Sequence, residues 1–174
     1  MWTIDSNLIE KPRKRELGLA VLLDKFIQDN RPGGTGFPLI GTIAVDLWCY
    51  WGINPYYIIA HAIQETGFGT SKIYRDKNNL FGWNAQDKNP YGLSSYFDSP
   101  FGCVAIIMRK ISILYLSPGG KHYLEKYGAT LRGMNTEEGD KKSYASDPEW
   151  GIKICAWMNK IQSFVDEKRK PKEV

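Results

Sequence analysis

The sequence predicts a predominantly α-helical α+β domain with a small β-hairpin or irregular lobe beside a cleft. Three observations predict it. Apolar residues recur at helical spacing through most of the chain. One stretch, residues 78–99, breaks that rhythm and is dense in Gly, Asn, Pro and Ser. The 174 residues are 43% hydrophobic and 13% aromatic, which suits one folded domain with a sizeable core.

The elements follow in order. Residues 14–30 read as a first helix, with Leu19, Leu22, Leu23, Phe26 and Ile27 on one side. "RPGGTGFP" then breaks the chain with two prolines and three glycines. Ile40, Ile43, Ala44, Leu47, Trp48 and Trp51 recur at i, i+3, i+4, i+7, i+8 and i+11, the stripe of an amphipathic helix. "GINP" ends it and starts the next, with Asn54 as N-cap and Pro55 at the first helical position. That third helix runs to Thr66, and Gly67 stops it. Within the irregular stretch, "GLSSYFDS" has the composition of a short strand or hairpin. An apolar helix over residues 101–116 ends at "SPGG", and a shorter one is expected around 121–127. The last begins at "SDPEW", with Asp147 capping, Pro148 as first residue, and Ile154, Met158, Ile161 and Val165 on its apolar stripe.

Composition excludes several functions. Net charge is +4, and the basic residues are scattered rather than gathered into a stripe, which argues against nucleic acid. A weakly basic surface suits an anionic polymer such as a cell wall. No apolar run approaches the roughly 20 residues of a membrane span, so no membrane insertion is expected. "MWTIDSNLIEKPRKRELG" has neither the apolar segment nor the small-residue site of a signal peptide. Release through a pore, carriage on a virion or export by another route is the expectation. Cys49, Cys103 and Cys155 are an odd set without C-x-x-C spacing, and read as buried free thiols. His61 and His122 form no metal-binding pattern, so neither metal nor cofactor is expected.

The informative anomaly is Glu65. Its helix is apolar nearly all round, and its polar exceptions, His61, Gln64 and Glu65, share one face. Such a strip faces either a buried polar network or a cleft. Glu65 stands in the last turn, where the helix dipole is negative. The dipole and its apolar neighbours both disfavour the charged form, as a general acid working near neutral pH requires. The alternative is a loop cap or an ion pair with Arg75 or Lys72, and the helix alone does not choose between them.

"AHAIQETGFGTS" followed by "NNLFGW" resembles the signature of the bacterial and phage glucosaminidases of glycoside hydrolase family 73, within the lysozyme-like superfamily. "INPYYIIAHAI" before it and "YASDPEWGIKI" near the end resemble the family's flanking segments. The resemblance covers residues 37–161. It implies a lysozyme-like domain with a substrate groove over residues 37–166. Residues 1–36 would then be a helix and linker packed on it, and 167–174 a charged tail. It further implies that Glu65 is the catalytic acid and that peptidoglycan glycan strands are the substrate, cut after N-acetylglucosamine at its β-1,4 bond to N-acetylmuramic acid. A phage tail or flagellar assembly is a possible partner of such an enzyme.

Glycoside hydrolysis normally uses two carboxylates. The segment after "NNLFGW" offers Asp87 and Asp98. Asp87 sits in a loop able to reach across a groove, either as a water-activating base or as a solvated turn residue. Asp98 sits at the step into the next helix, where capping competes with a site role. Without a base, the substrate's 2-acetamido oxygen can itself attack the anomeric carbon. Tyr144, which matches the tyrosine of the family's late Tyr-Ala-x-Asp-Pro motif, would then steady the oxocarbenium-like state. Gln64, Asn79, Trp83, Tyr96 and Trp150 complete the expected substrate-binding set, with Trp83 as a stacking wall for a pyranose ring. His61 is expected to hydrogen-bond within the polar strip. The rival readings are a lytic transglycosylase, which leaves 1,6-anhydromuramic ends, and a non-catalytic wall-binding or tail module.

Overall fold

The computed structural model describes residues 1–12, 14–34, 36–85 and 88–170. Among the described residues eight α-helices surround one apolar core: α1 Leu17–Asn30, α2 Gly41–Trp51, α3 Pro55–Thr66, α4 Lys72–Lys77, α5 Pro90–Leu93, α6 Pro100–Ile111, α7 Leu131–Met134 and α8 Trp150–Arg169. Strand pairing among the described residues is confined to two isolated antiparallel bridges, Ile9 with Ile53 and Glu138 with Lys141. No described helix is long and apolar enough to cross a membrane.

The central element is α3. Asn54 caps it by accepting from the amides of Tyr56 and Tyr57, and Pro55 occupies the first position, where no amide hydrogen is needed. Apart from Gln64 and Glu65, every residue of α3 is buried. Its largest contact is with α8, whose Ile154, Met158, Ile161 and Val165 are buried, as the spacing predicts, and whose Trp150 is buried with them. Helix α1 packs on α2 and α8 through Leu19, Ala20, Leu23, Phe26 and Ile27. The first residue of α2 lies so close to α1 that a Cβ on Gly41 would meet the Ala20 carbonyl at 2.4 Å. The Gly41 amide instead donates to Asp24 Oδ1 at 2.6 Å.

The N-terminal segment belongs to the same body. Trp2 and Asn159 exchange two hydrogen bonds, at 2.7 and 2.9 Å. Leu8 is wholly buried, and its carbonyl accepts from Asn54, the cap of α3. At the other end α8 runs on to Arg169, through the position where a tail was expected to begin.

Helix α8 starts at Trp150, with Glu149 at the N-cap position, and not at Pro148 with Asp147 as cap: Asp147 accepts the Glu149 and Trp150 amides within a turn that precedes the helix. Three further elements differ from the sequence reading. The stretch 92–99 forms no hairpin. Asn89 and Pro90 start one helical turn, α5, and the following residues lie extended against the 77–83 loop. Ser95 donates to the Trp83 carbonyl and Phe97 to that of Lys77, so no antiparallel neighbour strand is formed, and the lobe is irregular. Residues 121–127 make single i→i+3 turns instead of a helix, because Gly120 and Gly128 bracket them and no run of i→i+4 bonds develops. The expected helix over 101–116 is α6 followed by a π-helical turn, Ser112–Leu116. That widened turn carries Leu114 and Tyr115 to the wall of the cavity described next.

Candidate active site

Helix α3 ends in an unusual turn. Gly67, Phe68 and Gly69 all have positive φ, at 54°, 56° and 88°. Phe68 tolerates this because its ring is held edge-on by Phe37 and Trp157. The Thr66 hydroxyl donates to the Ala62 carbonyl at 2.7 Å and accepts the Gly69 amide at 3.0 Å. The turn therefore ends the helix abruptly one residue after Glu65, leaving that side chain at the rim of the core with 21% of its surface exposed.

What touches Glu65 defines its chemistry. The indole Nε1 of Trp150, at the start of α8, donates to Glu65 Oε1 at 2.7 Å. His61 Nε2 lies 3.5 Å from the same oxygen. The other oxygen, Oε2, lies over Gly82, where a Cβ would stand 3.3 Å away. Gly82 has φ +59°, so it meets two demands, a left-handed backbone and room for the carboxyl. Among the described residues no Lys or Arg pairs with Glu65: Lys72 pairs with Asp76 instead. A carboxyl whose Oε1 accepts an indole N–H carries its acidic proton on Oε2 when neutral.

Glu65 forms part of the wall of a cavity of about 1050 Å³. Phe81 to Ala85 form one side, Leu114 and Tyr115 another, and His122 with residues 142–146 a third. Tyr144 stacks on Trp150 with ring centroids 5.0 Å apart, and its hydroxyl donates to the Phe81 carbonyl at 3.1 Å. The phenols of Tyr57 and Tyr144 are pushed well above their ordinary range by burial first and by the negative charge of Glu65 second. Both stay neutral beside the carboxyl. His122 is held below its usual value by burial and by Lys121, and its Nδ1 accepts the Lys142 amide. The floor around Glu65 is thus aromatic and uncharged, while the opening is polar.

Residues 41–163 match the glucosaminidase family, described as mannosyl-glycoprotein endo-beta-N-acetylglucosaminidase. The chain belongs to this glucosaminidase family. A Streptococcus pneumoniae protein named provisionally as an endo-beta-N-acetylglucosaminidase is 38% identical over 112 residues, 64% of this chain and 16% of that protein. A Bacillus subtilis beta-N-acetylglucosaminidase is 30% identical over 135 residues, 70% of this chain and 15% of its own length. The chain therefore spans about a sixth of the curated relatives it matches. Among solved structures, a catalytic mutant of Staphylococcus aureus autolysin E, in complex with the disaccharide NAG-NAM, superposes with TM-score 0.66 at 22% identity. The match covers 92% of this chain and 72% of that one. Autolysin E in complex with the muropeptide NAM-L-Ala-D-iGlu superposes with TM-score 0.63 at 21% identity. The fold of this chain is theirs.

The expected site residues separate into two groups. Glu65, Trp83 and Tyr144 all border the cavity. Trp150 lies behind them, 3% exposed, and reaches the site through its indole N–H. Gln64 is half-buried beside Glu65 but is not on the cavity wall. Asn79 is 2% exposed, and its side chain is spent on the backbone of Phe81, Trp83 and Ser95, so it cinches the loop that presents Gly82 and Trp83 and has no free edge for a sugar. Tyr96 is 65% exposed and off the wall. Asp98 is exposed and also off the wall, and the cap of α6 is Ser99, whose hydroxyl accepts the Gly102 amide. Asp87 lies outside the described residues. Among the described residues Glu65 is the one carboxylate on the cavity wall.

Two contributors escaped the sequence reading. Asn135 Nδ2 donates to the Asp147 carbonyl and its Oδ1 accepts the Ala145 amide, which clamps the loop bearing Tyr144. The second is the state of His61. It is wholly buried, and neither ring nitrogen has a hydrogen-bond partner among the described residues, where a bond within the polar strip was expected. Leaving a buried polar group unbonded costs about 1–3 kcal/mol. Only the adjacency of His61 to Glu65 at i+4 was visible in advance.

Proposed function

We propose that this chain is a glycoside hydrolase that cleaves the β-1,4 bond between N-acetylglucosamine and N-acetylmuramic acid in peptidoglycan. Glu65 is its general acid. The observation that carries this reading is the carboxyl itself. It pairs with no Lys or Arg among the described residues, is anchored at Oε1 by the Trp150 indole, and is set on the wall of a cavity of about 1050 Å³ with Oε2 against the bare backbone of Gly82. A cavity of that size accommodates several pyranose rings. The fold shared with autolysin E, which binds NAG-NAM and a muropeptide, supports the substrate class.

In the reaction Glu65 Oε2–H passes its proton to the glycosidic oxygen as the bond to the anomeric carbon breaks. Trp83 offers a flat apolar face on the cavity wall for a sugar ring. The Tyr144 phenol, whose O–H is donated to Phe81, directs an electron-rich oxygen and ring face at the developing oxocarbenium charge. The nucleophile is the substrate's own acetamide oxygen or a water activated by Asp87. Asp87→Asn separates these. A small loss fits the acetamide route, and a loss as deep as that of Glu65→Gln assigns the base.

Digestion of purified wall followed by mass spectrometry of the products tests the reading. Reducing-end N-acetylglucosamine is expected. Anhydromuramic ends would make the chain a transglycosylase, and binding to wall without any release would make it a module.

A further inference from the structure

His61 is the one fully buried side chain among the described residues with polar atoms left unbonded. It sits in an aromatic box made by four rings: Tyr57 at 5.3 Å, Phe81 at 5.0 Å, Tyr144 at 4.8 Å and Trp150 at 5.2 Å between centroids. A phenylalanine would suit such a box and would leave no polar atom stranded. The imidazole must therefore bring something that a phenyl ring does not. Nε2 faces Glu65 Oε1 from 3.5 Å, beyond a formed hydrogen bond but roughly half an ångström short of one.

The state of Glu65 decides whether that gap closes. In the neutral acid, Oε1 is a carbonyl oxygen already served by the Trp150 N–H. Once the Oε2 proton has gone to the leaving oxygen, Glu65 is a carboxylate, and Oε1 becomes a stronger acceptor with room for a second donor. An N–H waiting at 3.5 Å then gains more from the charged form than from the neutral one. Such a difference lowers the barrier without tightening substrate binding.

We propose that His61 is a positioning residue of the catalytic acid: neutral, protonated on Nε2, it closes onto Glu65 Oε1 as the carboxylate forms. His61 keeps its proton throughout. The negative charge stays on Glu65 and the transferred proton on the departing sugar. The proposal rests on the reading of Glu65 as the proton donor. It also accounts for the shape of the site, since a rigid box of four rings stops the imidazole from turning Nε2 elsewhere.

The test compares His61→Phe, which fills the box without a donor, with His61→Gln, which returns an N–H near the Nε2 position. Kinetics on soluble uncross-linked glycan strands should show kcat lowered roughly 10–100-fold in the Phe variant with KM unchanged. The Gln variant should recover much of that loss, and both should melt near the wild type. In the wild-type protein, nitrogen NMR of the ring should show the Nε2–H tautomer. A folded Phe variant with full kcat overturns the proposal, as does an Nδ1–H tautomer. If the Phe variant fails to fold, the tautomer and the Gln variant decide. Glu65→Gln measured alongside keeps the two claims apart. Undiminished cleavage by that variant sinks the reading of the site, whereas its inactivity together with a fully active His61→Phe sinks only the role of His61.

Discussion

Trp150 and Glu65, 85 residues apart in sequence, meet through a 2.7 Å hydrogen bond from the indole Nε1 to Oε1. The bond joins the first residue of α8 to the last turn of α3, the two helices with the largest mutual contact. It fixes the carboxyl's orientation and leaves Oε2 as the oxygen on which a neutral acid would hold its proton.

Replacing the indole by a phenyl ring should isolate that bond. Trp150→Phe keeps an aromatic ring on Tyr144 but removes the donor. A hydrogen bond to a charged group is worth about 1.5–3 kcal/mol, so kcat should fall roughly 10–100-fold. Steady-state kinetics on wall fragments measures this, and an unchanged kcat would show that the indole merely packs.

Gly82 should tolerate no side chain. In Gly82→Ala the methyl group would stand 3.3 Å from Glu65 Oε2, and the φ of +59° costs a non-glycine residue about 1–2 kcal/mol. A modest drop in melting temperature with a disproportionate loss of activity is expected. Thermal denaturation and turbidity clearing on the same preparation give both numbers.

Asn79→Ala should damage stability more than chemistry at the site itself. The buried amide holds the carbonyls of Trp83 and Ser95 and the amide of Trp83. Its removal leaves those groups unpaired, at a cost of about 2–3 kcal/mol. Urea unfolding should show the loss, and activity in the folded fraction should persist better than in Trp150→Phe.

Much of this was legible in the sequence because it is local. The Asn54-Pro55 start, the Gly67 stop and the stripe on α8 each follow from neighbours within a turn or two, and each is found. Glu65 stood out because a carboxylate at the end of an apolar helix breaks a local preference. The misjudged residues are those whose partners are distant. Asn79 reads as a substrate-binding residue, but the extended run through Ser95 arrives against it and takes up its amide. Asp98 reads as a cap, yet Ser99 beside it captures the Gly102 amide. Trp150 reads as part of the substrate-binding set, and only the approach of α8 to α3 makes it a donor to the acid. Residues 92–99 carry strand-forming types but no strand among the described residues reaches them, so they settle as an irregular lobe.

The most direct test of the account is cleavage of purified peptidoglycan by Glu65→Gln. The substitution keeps the shape of the side chain and removes its proton. With melting temperature and circular dichroism unchanged, wall hydrolysis should fall by about 10²–10⁴-fold or to background. A folded Glu65→Gln protein that clears wall at the wild-type rate would contradict the assignment of Glu65 as the proton donor.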